Sequence, residues 1–225
     1  KLNYLINHNH RVDIGYTNTS SNILSTNILE NTNDFSSNFF TSSYTFSKKN
    51  SLPLSNEYNL FSSLTLGLGE RKNESQQTNQ LLTSLNSYKL FKLNTQNSIF
   101  INLTLKGLFS DSYLENELFR FGGINSIRGF EENSLIASKF GVLNTEYRYS
   151  VSSSLYIHSI IDASYFENDV INSKEKLFGF GVGFGLKTRG GLFRFIYANG
   201  KTDLQLIPDA DYLIWVVSDD QKIAV

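Results

Sequence analysis

Few residues in this chain have types and positions suited to chemistry. Arg128 is one. It lies in the stretch Phe119–Phe130, F-R-F-G-G-I-N-S-I-R-G-F, between two runs of alternating apolar residues. Two acids follow it: Glu146 in Leu143-Asn-Thr-Glu146-Tyr-Arg148-Tyr149, and Asp162 in Ser159-Ile-Ile-Asp162-Ala-Ser-Tyr165-Phe166. A guanidinium stays protonated, and its planar fork can bond carboxylates bidentately. Alternation phases both acids. With Gly141, Leu143, Thr145, Tyr147 and Tyr149 on one face, Asn144, Glu146 and Arg148 take the other. With Leu155, Ile157, Ile161 and Tyr165 on that first face, His158 and Asp162 join Glu146. Taken singly, each reads blandly. Glu146 and Arg148 would be a surface pair worth at most about 1 kcal/mol, and Asp162 would face solvent.

No catalytic residues are expected. The chain has no G-x-S-x-G and no phosphate-binding glycine loop. Its histidines are His8, His10 and His158. His8 and His10 would share one strand face at i, i+2, but no third ligand is evident, so neither a metal nor a cofactor is predicted. Glu30, Asp34, Asp111, Glu115, Glu117, Glu131 and Glu132 fall in predicted loops and read as solvated carboxylates.

The elements that position these residues read as strands. Phe178-Gly-Phe180-Gly-Val182-Gly-Phe184-Gly-Leu186 is strictly alternating, with Gly179, Gly181, Gly183 and Gly185 on one face. Four glycines remove all side-chain bulk there, so a close approach or a sharp bend is expected. Ile99, Ile101, Leu103 and Leu105 alternate likewise, as do Leu64, Leu66 and Leu68. Strands are predicted at 3–17, 35–48, 57–71, 78–92, 96–110, 138–151, 154–167, 175–189 and 191–202. These exceed the five or six residues usual in a soluble sandwich and approach a tilted transmembrane strand. Longer polar connections (17–34, 71–79, 111–138) alternate with turns (47–56, 93–97, 151–154, 188–191). That alternation is what outer-membrane barrels show.

Composition agrees. The chain has 225 residues, 40% hydrophobic and 18% charged, with net charge −1, which argues against nucleic acid as a partner. No apolar run reaches the length of a membrane helix. A mean hydropathy of −0.23 suits a barrel in which every second residue faces lipid. Two prolines leave the ladders uninterrupted, and the absence of cysteine excludes disulfides. With no methionine and Lys1 first, the chain reads as a processed product or a fragment.

Gly122-Gly123 followed by Ile127-Arg128-Gly129-Phe130 resembles the signature loop of the BamA/TamA superfamily of outer-membrane barrels. The resemblance implies an all-β fold: an antiparallel transmembrane β-barrel of which about ten strands, the C-terminal part of sixteen, are present. Residues 1–203 would be the barrel domain with its signature loop at 111–137, and 204–225 an atypical tail. In that family the loop folds back into the barrel and its Arg meets acids on the inner wall. Arg128 would therefore meet Glu146 and Asp162. Phe130 would wedge against the glycine wall at 179–185, and Arg71, in a polar loop, would serve as an indifferent cation. The implied activity is assembly or insertion of outer-membrane proteins through a lateral seam, without enzyme chemistry. Two alternatives are a barrel tethering a patatin-like hydrolase domain encoded upstream and a two-partner secretion transporter. A soluble β-sandwich adhesin is a more distant reading. Implied partners are outer-membrane lipid, client β-barrels or secreted polypeptides, and periplasmic or lipoprotein accessory subunits. The tail departs from the family pattern. Residues 212–217 are apolar without alternation, so a strand outside the regular barrel alternation is expected there.

Overall fold

The structure, a computed structural model, describes residues 2–22, 34–49, 58–73, 76–202, 212–218 and 221–224. In chain order the strands are β1 (Leu2–Asn7), β2 (His10–Ser21), β3 (Phe35–Lys49), β4 (Tyr58–Lys72), β5 (Gln77–Lys92), β6 (Asn97–Ser110), β7 (Phe119–Phe121), β8 (Leu135–Ala137), β9 (Lys139–Ser150), β10 (Leu155–Asn168), β11 (Ser173–Thr188), β12 (Gly191–Thr202), β13 (Tyr212–Ser218) and β14 (Gln221–Ala224). Twelve of them form one sheet in sequential order; β7 and β8 pair separately as a hairpin inserted between β6 and β9. Every pairing is antiparallel.

Period two governs burial. Along β10 the even residues from Tyr156 to Asn168 are buried, while the odd ones are exposed or partly so. β9 repeats this, with Phe140, Val142, Asn144, Glu146 and Arg148 buried. Register carries the same face across the sheet: Glu146 opposes Ile160, Ile160 opposes Gly181, and Gly181 opposes Ala198. The other face exposes Leu64, Leu66, Leu68, Leu143, Tyr147, Ile157, Ile161, Tyr165, Phe180 and Val182. An apolar exterior of this breadth suits lipid. The long strands β3–β6 and β9–β12 run 12 to 16 residues, enough to span a bilayer core at a tilt.

The inner face is covered by the segment between β6 and β9. Phe121, Ile127 and Ala137 from that segment bury against Phe140, Val142, Phe166 and Leu177 of the wall. Phe121 stacks on Phe140 at 4.4 Å and meets Phe166 edge-on at 5.4 Å. Ile124 packs on a second cluster, Ile160, Ile196 and Ala198. Ile127 is fully buried, so Ile127→Val should destabilise the protein by about 1 kcal/mol through one lost methyl group. Urea unfolding in lipid vesicles checks this; an unchanged midpoint would mean that the loop does not pack as described.

Two expectations need correction. The predicted strand 3–17 is a hairpin. Asn7 Oδ1 accepts from Asn9 N at 2.9 Å and His10 N at 3.1 Å, closing a turn that contains His8. His8 and His10 therefore do not share a strand face. The predicted loop 71–79 shrinks to 73–76, where Gln76 N donates to Asn73 Oδ1 at 2.7 Å. Arg71 consequently lies inside β4. The nine strands placed from the sequence become twelve in the main sheet, through the split of 3–17 and the addition of β13 and β14. β13 extends the ladder, from Asn199 opposite Tyr212 to Arg194 opposite Val217. Pro208, most of the predicted turn at 47–56 and most of loop 17–34 lie outside the described residues.

Candidate functional site

The inserted segment, residues 111–138, is built to turn back onto the sheet. After β7, Gly122 and Gly123 take φ of +112° and +86°. A Cβ on either would fall within 2.4 Å of atoms of Glu131 or Glu132, so only glycine fits. The chain then reaches Arg128, whose side chain is 5% exposed.

Arg128 bonds both acids. Its Nε donates to Asp162 Oδ2 at 2.7 Å, and Nη2 donates to Asp162 Oδ1 at 2.6 Å. This is the bidentate fork. The Arg128 backbone N–H adds a third bond to Asp162 Oδ2 at 3.1 Å. Nη1 donates to Glu146 Oε1. Asp162 is fully buried and Glu146 nearly so. Asn144, opposite Asp162, donates from Nδ2 to Ser126 O at 2.7 Å and holds the approach to the tip. Isolated charges at such depth are unfavourable, and pairing with every oxygen bonded is what makes them tolerable.

Two more inward residues complete the cluster. Arg148 donates from Nε to Glu146 Oε2 at 2.8 Å and lies over the Phe100 ring at 4.4 Å. It is buried, not part of a surface pair. His158 Nδ1 stands 3.4 Å from Glu146 Oε2. Glu146 is thus shared by two guanidiniums, with the His158 ring beside it.

The glycines do not all act alike. Only Gly179 meets the loop: a Cβ there would fall 2.2 Å from Arg128 O. Gly181 faces Ala198 and Tyr197 O, Gly183 lies under His158, and Gly185 lies under the Tyr156 ring. Those three make room for neighbouring wall side chains. Phe130 meets Gly200 of β12, where a Cβ would come within 2.6 Å of the ring. Gly129 lies on the same spot, against Asn199 and Gly200. The expected wedge against 179–185 is therefore displaced to β12, and Gly200 was missed. Its signal was visible in even spacing with Ile196 and Ala198.

Among the described residues no group of His, Cys, Asp and Glu could hold a metal ion. No nucleophile–base pair is part of this cluster. Paired charges that pin a loop to a wall can hold or release that loop.

The sequence model of the family described as haemolysin secretion/activation protein ShlB/FhaC/HecB matches residues 8–186, most of the chain. No curated protein sequence matches. Among solved structures, CdiB from Acinetobacter baumannii matches with a TM-score of 0.60 at 14% identity. The match covers 90% of this chain and 37% of that one, so the chain spans well under half the length of CdiB. These matches do not single out the BamA/TamA branch that the loop motif resembles. The chain belongs to the ShlB/FhaC/HecB family of haemolysin secretion/activation proteins and forms part of an outer-membrane β-barrel of Gram-negative type.

Proposed function

We propose that this chain supplies the loop-bearing wall of a two-partner secretion transporter, which passes a secreted polypeptide across the outer membrane. The family match over residues 8–186 is the observation that carries the reading. The chemistry of the inner face agrees. Ser43, Thr45, Ser63 and Thr65 hydrogen-bond across β3 and β4, and Asn102 bonds Asn144 across β6 and β9. Neutral hydroxyls and amides give an extended chain hydrogen-bond partners without trapping it by charge. Arg128, with Glu146 and Asp162, holds the loop against the opposite part of the wall. Release of that contact would clear a path. The glycines Gly122, Gly123 and Gly129 shape the tip, and Ile127 and Phe130 seat it.

The test is deletion of the full-length gene followed by proteomics of the medium and the outer membrane. Loss of one or a few secreted polypeptides, with other outer-membrane barrels unchanged, is expected. General depletion of those barrels would instead establish the assembly activity and overturn the secretion reading.

A further inference from the structure

We propose that Arg71 and Glu117 form a second latch, which fixes the root of the lumen loop to β4 and β5 and works independently of the Arg128 contact at its tip. The proposal rests on the transporter reading above for its functional meaning, and on geometry for its existence.

Connectivity does not require the loop to reach so far. It leaves β6 at Ser110 and rejoins the neighbouring strand β9 at Lys139. Yet its first residues turn away from β9, toward β2–β5. Arg71 on β4 is 1% exposed. Its Nη1 donates to Glu117 Oε1 and to Ser112 O at 3.3 Å. Its Nη2 donates to Ser112 Oγ at 2.8 Å and to Thr78 Oγ1 on β5 at 3.5 Å. Glu117, with a side chain 4% exposed, accepts from Gln80 Nε2 on β5 at 2.9 Å and from Leu114 N at 2.8 Å. Ser37 of β3 donates to Gln80 Oε1 at 3.4 Å, and Asn116 Nδ2 donates to Ser21 Oγ at 3.1 Å. The root is thus tied to β2, β4 and β5 on one side, with β3 joined to β5 through Gln80.

The tip is tied to the other side. Arg128 meets β9 and β10, and Gly129 and Phe130 meet β12. A buried guanidinium–carboxylate pair stands at each end, and along the chain β7 lies between Glu117 and Arg128. The loop therefore spans the inner face from β2 to β12. Two separate anchors permit two separate motions. Releasing the tip alone leaves a tethered flap that can return to one place. Releasing the root would free the whole loop. Arg71 and Glu117 are positioning residues: they set where the flap pivots. A guanidinium suits the post, because it addresses Glu117, Ser112 and Thr78 at once, which a single ammonium cannot do in that geometry.

Planar-bilayer conductance of the full-length protein tests this. The chain contains no cysteine, so the double variant Arg71→Cys/Glu117→Cys introduces the only two thiols in this segment. Heat-modified gel mobility confirms that the barrel is folded. Without a cross-linker, open events should rise several-fold. Bridging the two thiols with a bis-maleimide should return conductance to the wild-type level, since a covalent tie replaces the ionic one. It should also leave export of the client intact, because the root stays put while the tip moves. A destabilised barrel alone would not be rescued by the bridge. A folded double variant with wild-type conductance overturns the latch. A bridged protein that conducts normally but no longer exports overturns the fixed pivot. If the double variant does not fold, Glu117→Gln, which keeps shape but removes the charge, should still raise conductance, and unchanged conductance there overturns the proposal. If wild type exports nothing, the transporter reading fails, while the conductance comparison still decides the latch.

Discussion

Arg128→Ala is expected to lower the stability of the folded barrel by about 3–5 kcal/mol, the usual consequence of leaving a buried charge without its partner. Two carboxylates are stranded at once. Asp162 loses three hydrogen bonds, two from the side chain directly and one as the tip backbone drifts. Glu146 keeps Arg148, so its loss is smaller. Arg128→Lys should recover only part of the effect, because an ammonium cannot bridge Asp162 bidentately while reaching Glu146. The proper comparison is Arg120→Ala, which removes an exposed cation from the same loop and should change stability by no more than about 0.5 kcal/mol. Arg71 cannot serve as that comparison, since it is itself buried and paired. Midpoints of heat-modified gel mobility for the three variants decide the matter. Equal midpoints for Arg128→Ala and Arg120→Ala would mean that the loop tip contributes nothing to the fold.

Much of this was legible because a strand obeys period two. Once one lipid-facing residue is identified, every other residue on that strand is assigned a face. That rule placed Glu146, Arg148, His158 and Asp162 inward from Leu143, Tyr147, Ile157 and Ile161 alone. The same rule would have found Arg71. Leu64, Leu66 and Leu68 point outward, so the odd positions through Arg71 point inward. Arg71 closes the predicted strand 57–71 and opens the predicted connection 71–79, so its charge reads as loop while its parity points inward. A strand end rich in Glu, Arg and Lys imitates a polar loop when the strand runs on to Lys72. The hairpin at His8 was lost for a different reason. Asn7-His-Asn9 interrupts a run whose alternation is weak on both sides, and the turn is closed by a side-chain oxygen of Asn7, not by a glycine or proline. Glu117 was unreadable from sequence, since what buries it is Arg71, forty-six positions away. The branch of the superfamily was also beyond the motif. The Arg-Gly-Phe loop is one short segment, whereas the family match draws on residues 8–186 together.

Gly129→Ala should release the loop tip almost as fully as loss of Arg128. Gly129 has φ +92°, a region that residues with a Cβ rarely adopt, and holding one there costs about 1–3 kcal/mol. Space is the harder limit. A Cβ would stand 2.3 Å from Asn199 C and 2.4 Å from Gly200 N. Both are backbone atoms of β12, itself laddered to β11 and β13, so the wall cannot yield without breaking pairs. The tip must move instead, and Arg128, its immediate neighbour, is carried away from Asp162. Gly190→Ala is the matching control, because a Cβ there meets nothing closer than Thr188 Oγ1 at 3.9 Å. Limited trypsinolysis in lipid vesicles separates the outcomes. Arg120 is exposed and Arg128 is buried, so cleavage after Arg120 reports only access to the loop, while cleavage after Arg128 reports a lifted tip. Gly129→Ala should open the second site and Gly190→Ala should not. If Gly129→Ala stays resistant after Arg128 with the barrel folded, the close approach of the tip to β12 is wrong.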